Sequence, residues 1–97
     1  MNTKYNHYKV TLKHEYSPND EELHASVEVV FDNHDNIFTI IEKLSERDLF
    51  NDKEQATEFA IGLKMFSEVM LRNRENPLFS EFAPAFKEFM QKLKSEI

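Results

Sequence analysis

One stretch, Asp52 to Asn76, sets the terms for the rest of the chain. It reads DKEQATEFAIGLKMFSEVMLRNREN. Apolar residues fall at Ala56, Phe59, Ala60, Leu63, Phe66 and Met70, the three-and-four spacing of one helical face. A second set, Ile61, Met65, Val69 and Leu71, widens that stripe. Glu58, Lys64, Glu68 and Arg72 leave only a narrow charged edge. A surface helix needs an apolar arc of about 100°. This one exceeds it, so the helix is either central to the fold or shared with another chain. Asp52 is placed to cap its start, and Gln55 three residues on suits a capping box. Arg72 and Arg74 suit the negative end of the helix dipole, and Pro77 is expected to stop the run.

The only glycine of the chain, Gly62, sits in the middle of this helix. A glycine there costs about 1 kcal/mol relative to alanine. Close approach of another backbone at that point would offset the cost, and Gly62→Leu would then disrupt the fold or a dimer. The plainer alternative is a tolerated glycine with no packing role. Ile61, Gly62, Met65 and Val69 together are the expected contact surface of a homodimer.

Around this helix the chain arranges two strands and two further helices. Tyr8, Val10 and Leu12 alternate with Lys9, Thr11 and Lys13, as in a half-buried strand. Ser17-Pro18-Asn19-Asp20 supplies turn chemistry. Leu23, Ala25, Val27, Val29 and Phe31 then alternate with His24, Ser26, Glu28 and Val30 in a second strand, pairing with the first as an antiparallel hairpin. Residues 1–4 carry no pattern and are expected to be loose. Asn33 or Asp35 is a candidate cap for a helix with apolar face Ile37, Phe38, Ile41 and Leu44. After Pro77, Leu78 and Phe79 suit a turn, Ser80 a cap, and Pro84 a first helical turn. Phe82, Phe86, Phe89, Met90, Leu93 and Ile97 mark the last helical face. The expected fold is α+β, one domain over residues 1–97, with an N-terminal hairpin and three helices packed on its apolar face in the order β-β-α-α-α.

Composition limits what such a domain can do. The net charge of −6 disfavours a general nucleic-acid binder, which needs a basic face, and an anionic membrane surface. No cysteine is present, so there is no disulfide, thiolate zinc site or cysteine nucleophile. No 18-residue apolar run and no apolar leader occur, and a cytoplasmic location follows as the default.

Catalytic and metal chemistry find little support. No HExxH, EF-hand loop, GxSxG or phosphate-cradling glycine loop is present. His14 and His24 have strand parities that send them to opposite faces, which argues against one shared ion. His34 lies between Asp32 and Asp35, a weak metal constellation in a loop where Asx residues ordinarily serve turns and caps. No catalytic residue, metal or cofactor is assigned. The nine phenylalanines and the methionines suit an aromatic core, with a ligand cavity as the alternative. Such a cavity would draw on His34, Asp35, Lys64, Glu68 and Arg74 for its polar contacts.

Several segments resemble a known group of proteins. Asn33-His34-Asp35-Asn36-Ile37-Phe38, the run Gly62 to Leu71, Asn73-Arg74, Pro77-Leu78-Phe79 and Pro84-Ala85-Phe86 with Phe89-Met90 are similar to motifs of a family of small Gram-negative bacterial proteins known only as a domain of unknown function. The resemblance covers nearly the whole chain. It implies a single-domain bacterial fold and transfers no activity, cofactor or catalytic residue. Three expectations for function remain: a non-enzymatic interaction protein, homodimeric; a binder of a small ligand or metabolite in a Phe/Met-lined cavity; and a small enzyme in which His34, Asp35, Glu68 or Arg74 converge.

Overall fold

The computed structural model describes residues 4–19 and 21–97. Residues 1–3, expected to be loose, and Asp20 of the expected turn lie outside the described residues. The chain divides into two compact units, one ending at Asp35 and the other running from Asn36 to Ile97. The elements are β1 (Asn6–Leu12), β2 (Val27–Asn33), α1 (Ile37–Arg47), α2 (Lys53–Arg72), α3 (Pro77–Ser80) and α4 (Ala83–Glu96). The α+β class and the hairpin-then-helices order agree with the sequence reading. The helix count differs: four are present where three were expected, because Pro77–Ser80 closes a short helix instead of a turn.

In the first unit β1 and β2 form an antiparallel pair. Asn6 stands opposite Asn33, Tyr8 opposite Phe31, Val10 opposite Val29 and Leu12 opposite Val27. Paired residues share a face, so the apolar residues of both strands collect on one side. The other side carries polar pairs: His7 bonds Asp32, and Lys9 reaches Glu28 at 3.9 Å. The second strand begins at Val27, not at Leu23 as the alternation suggested. The ladder ends at Leu12 and Val27 because the next donor is used elsewhere. The His24 N–H donates to the His14 ring Nδ1 at 3.2 Å, a side-chain bond in place of a rung. In the connection, the Ser17 hydroxyl accepts from the Asn19 N–H at 3.4 Å, a local turn bond of the kind serine makes.

The second unit is helical, and most of its ends are capped. Asn36 caps α1, its side chain accepting from the Phe38 N–H at 3.0 Å. This replaces the expected Asn33 or Asp35. Asn33 is instead buried and accepts from the Asp35 N–H at 2.9 Å, which closes the turn before the helix. Asp48 ends α1 in the left-handed region at φ 52°, and its N–H reaches back to the Leu44 and Ser45 carbonyls. Asn51 is also left-handed, at φ 55°. Aspartate and asparagine tolerate this region better than other non-glycine residues. The corner between α1 and α2 is therefore built without glycine.

Asp52 caps α2 as expected, accepting from the Glu54 and Gln55 N–H groups. The capping box is not reciprocal: the Gln55 amide donates to the Asp52 carboxylate at 3.4 Å rather than to its backbone. The helix ends at Arg72, before Pro77 has any influence. The Asn73 side chain donates to the Val69 carbonyl at 2.8 Å and satisfies part of the last turn. Pro77 does not stop a helix but starts α3, where its missing N–H costs nothing. Ser80 is not the cap of α4. Its hydroxyl turns back to the Pro77 carbonyl at 3.5 Å, and Phe82 precedes α4 without a side-chain cap.

The buried core of the described residues is small. It consists of Ile37 and Leu44 from α1 with Ala56, Ala60 and Met70 from α2, and these two helices pack on each other. The two alanines let the helix axes approach closely over Leu44, the one large side chain with no exposed surface. Phe38, expected on the inner face, is 65% exposed. It follows Ile37 by one position, and adjacent helical residues do not share a face. A second cluster is aromatic. The Phe66 ring of α2 meets Phe79, Phe82 and Phe86 edge-on, with centroids 6.2, 6.2 and 5.9 Å away. Phe59 meets Phe89 at 6.3 Å. Rings in this geometry contribute beyond their buried area, and they tie α3 and α4 to α2.

Candidate functional site

The five polar residues expected to converge fall into two groups, one in each unit. His34 and Asp35 close the first unit. The His34 Nδ1 lies 3.3 Å from the Asp35 carboxylate, and its ring stands edge-on to Tyr5 at 6.4 Å. The Asp35 carbonyl accepts from the Tyr8 hydroxyl at 3.2 Å. Together with the Asn33–Asp35 bond, this knits the end of β2 to β1. The Asx residues here carry turn and cap bonds, and His34 is the exposed member.

Lys64 and Glu68 lie on consecutive turns of α2, both half-buried. The Lys64 carbonyl accepts from the Ser67 hydroxyl at 3.3 Å. The Glu68 carbonyl accepts from the Arg72 Nε at 3.4 Å. Arg74 is exposed beyond the helix end, on a cleft of about 390 Å³ formed by residues 71–76. Lys64 and Glu68 do not line that cleft. An anion held there would face the negative end of the α2 dipole, and Arg72 and Asn73 already donate to carbonyls of the last turn. The cleft is therefore a poor anion site despite its two arginines.

A second cleft of about 390 Å³ lies among Phe50, Gln55, Glu58 and Phe59. Phe50 and Phe59 meet at 5.2 Å on one wall. None of His34, Lys64 or Arg74 lines it.

The four expected contact residues sit along α2. Ile61 and Met65 are half-buried, while Gly62 and Val69 are exposed. A Cβ built on Gly62 would meet nothing within 4 Å. No other backbone of this chain approaches the glycine, so the fold gives no reason for Gly62→Leu to disrupt it. Only a second molecule could supply the close approach.

Sequence reasoning missed one pairing. The His14 and His24 rings are stacked, with centroids 5.3 Å apart and planes 16° from parallel. The parity argument fails because it carried the strand register past Leu12 and Val27, where the ladder has ended. The rings border a cleft of about 440 Å³ with Leu12, Ala25 and Val27. Because the His14 Nδ1 accepts a backbone N–H, the neutral ring carries its proton on Nε2. That nitrogen has no lone pair for a metal, so the arrangement does not suit joint coordination. Among the described residues, no group of three or more histidine or carboxylate side chains is placed to hold a metal ion. No helix among them is long and apolar enough to cross a membrane.

These features define a small α+β domain made of an antiparallel hairpin followed by helices. The chain belongs to the family DUF3861, a domain of unknown function with a solved structure, whose profile matches residues 6–95. A protein of unknown function from the Gram-negative bacterium Pectobacterium atrosepticum has a crystal structure similar to this one. The TM-score is 0.81 at 33% sequence identity, covering 94% of this chain and 98% of that one. No curated protein matches the chain in sequence.

Proposed function

We propose that this chain is a non-enzymatic interaction protein of the bacterial cytoplasm that acts as one domain and works as a homodimer. A single observation carries the reading. Among the described residues only five apolar side chains are buried, while fifteen large apolar or aromatic ones are exposed. Scattered exposed hydrophobics are ordinary, but a surplus of this size marks an interaction surface. The α2 stripe of Ile61, Gly62, Met65 and Val69 supplies one such surface. It lies on a helix stiff enough to present it without ordering cost, and the open space over Gly62 leaves room for a second backbone. Light scattering at two protein concentrations tests the proposal. A mass of twice 11.5 kDa is expected, and a monomer at both concentrations would sink it.

A ligand-binding role is the second reading, and the cleft between Phe50 and Phe59 is what favours it. A ligand that binds only the folded state raises apparent stability. A thermal-shift screen with small apolar carboxylic acids and amines is the direct check. No shift with any of them leaves the interaction role alone.

A further inference from the structure

The described part of the first unit buries no apolar side chain, although its two strands build a continuous apolar face. Exposure rises steadily along that face. Asn33 is buried, Phe31 and Val10 are half-buried, and Val29, Val27 and Leu12 are 40%, 54% and 71% exposed. Leu23, 46% exposed, and Ala25 extend the patch into the connection, beside the cleft bordered by the stacked histidines. A lone two-stranded hairpin is marginal in water, and covering an apolar face is what stabilises one.

We propose that a second copy of this chain covers the open end of this face, with Leu12, Val27 and Val29 of the two hairpins meeting around a two-fold axis. The proposal rests on the homodimer reading above and gives that dimer a second contact surface, separate from the α2 stripe.

Area favours a second copy over a short peptide. The chain keeps 8061 Å² accessible, where a compact monomer of its mass exposes about 5800 Å². The surplus of about 2300 Å² falls in the range one subunit contributes to an obligate dimer, about 1000–2500 Å². Charge points the same way. The chain carries a net charge of −6, so two copies repel unless they meet through a neutral surface. The apolar face is neutral throughout, while the ion-paired residues His7, Asp32, Lys9 and Glu28 all lie on the other face. An isologous contact also needs a self-complementary patch, and a neutral row of valine and leucine meets that condition. A charged partner would find nothing on it to pair with.

The test compares Val27→Glu on the apolar face with Thr11→Glu on the polar face, by light scattering and far-UV circular dichroism. Wild type and Thr11→Glu are expected at twice 11.5 kDa, and Val27→Glu at 11.5 kDa with its helical signal retained. If Val27→Glu stays dimeric while Val69→Glu on α2 becomes monomeric, this inference is overturned and the homodimer reading stands. A monomeric wild type overturns both. Should Val27→Glu fail to fold, crosslinking decides. The chain has no cysteine, so Val27→Cys and Thr11→Cys each carry a single thiol. A short bis-maleimide is expected to yield covalent dimer from Val27→Cys in at least tenfold excess over Thr11→Cys. Equal yields would overturn the inference.

Discussion

Replacing Gly62 by alanine separates what the fold asks of this position from what a partner asks. Gly62 lies at the tenth position of α2, well inside the helix, and has no positive φ. An added Cβ would touch nothing within 4 Å, so no strain or clash opposes the change. The gain is then the intrinsic helix preference of alanine, about 1 kcal/mol, most of it from the lower conformational entropy of the unfolded chain. In a chain of this size about 1 kcal/mol moves the melting temperature by roughly 4–8 °C. Thermal unfolding followed by circular dichroism, at a concentration where light scattering gives 11.5 kDa, reads this directly. A rise is expected. A fall at that concentration would refute the reasoning, because it would mean that Gly62 is packed within the single chain. At concentrations favouring the dimer the sign distinguishes the surfaces. If the second copy approaches Gly62, the variant loses there the stability it gains as a monomer, and the concentration dependence of its melting temperature flattens.

Three further outcomes follow from the described packing. Leu44→Ala removes the one large side chain with no exposed surface and should cost about 3 kcal/mol, a large share of a total of roughly 5–15 kcal/mol, read as a lower urea midpoint. Asp52→Ala deletes the acceptor of two backbone N–H groups at the start of α2. It should cost about 1 kcal/mol, with Asp52→Asn restoring most of it in the same urea titration. His14 should show Nδ1 unprotonated and Nε2 protonated in nitrogen NMR of the neutral ring, since the His24 N–H occupies Nδ1; the opposite tautomer would show that the stacked pair does not persist in solution.

Periodicity identified the elements but not their ends. The α2 stripe was legible because twenty residues of regular spacing leave few alternatives, and its Asp52 cap was legible because aspartate there has one obvious use. The hairpin was legible from alternation, yet its second strand was read four residues too early. Alternation at Leu23 and Ala25 is compatible with a strand but does not make one; a hydrogen-bonded partner does, and His14 had taken that partner's place. Pro77 was read only as a stop, although a proline serves the first turn of a helix equally well. The site was less legible than the fold. His34 and Asp35 are neighbours in sequence and so were bound to lie together. Their expected convergence with Lys64, Glu68 and Arg74 required tertiary information that no local spacing carries. Arg74 lines a cleft that Lys64 and Glu68 do not. The His14–His24 stack was invisible to parity because parity holds only where strands are paired.

The corner between α1 and α2, with Asp48 and Asn51 in the left-handed region, bears on the order in which the chain gains structure during synthesis. An all-glycine corner would leave the emerging polypeptide free to sample many directions. Aspartate and asparagine narrow that sampling before any contact forms, and α1 and α2 are neighbours along the chain. Such local pairings close fast. The hairpin, by contrast, leaves the ribosome first, with its apolar face uncovered. For that interval its protection against mispairing rests on the charged residues of its other face and on the twist of its short strands. A cell making this protein quickly therefore exposes valine and leucine before it exposes helix. Chaperone demand should track the translation rate of the first 35 residues more closely than that of the rest.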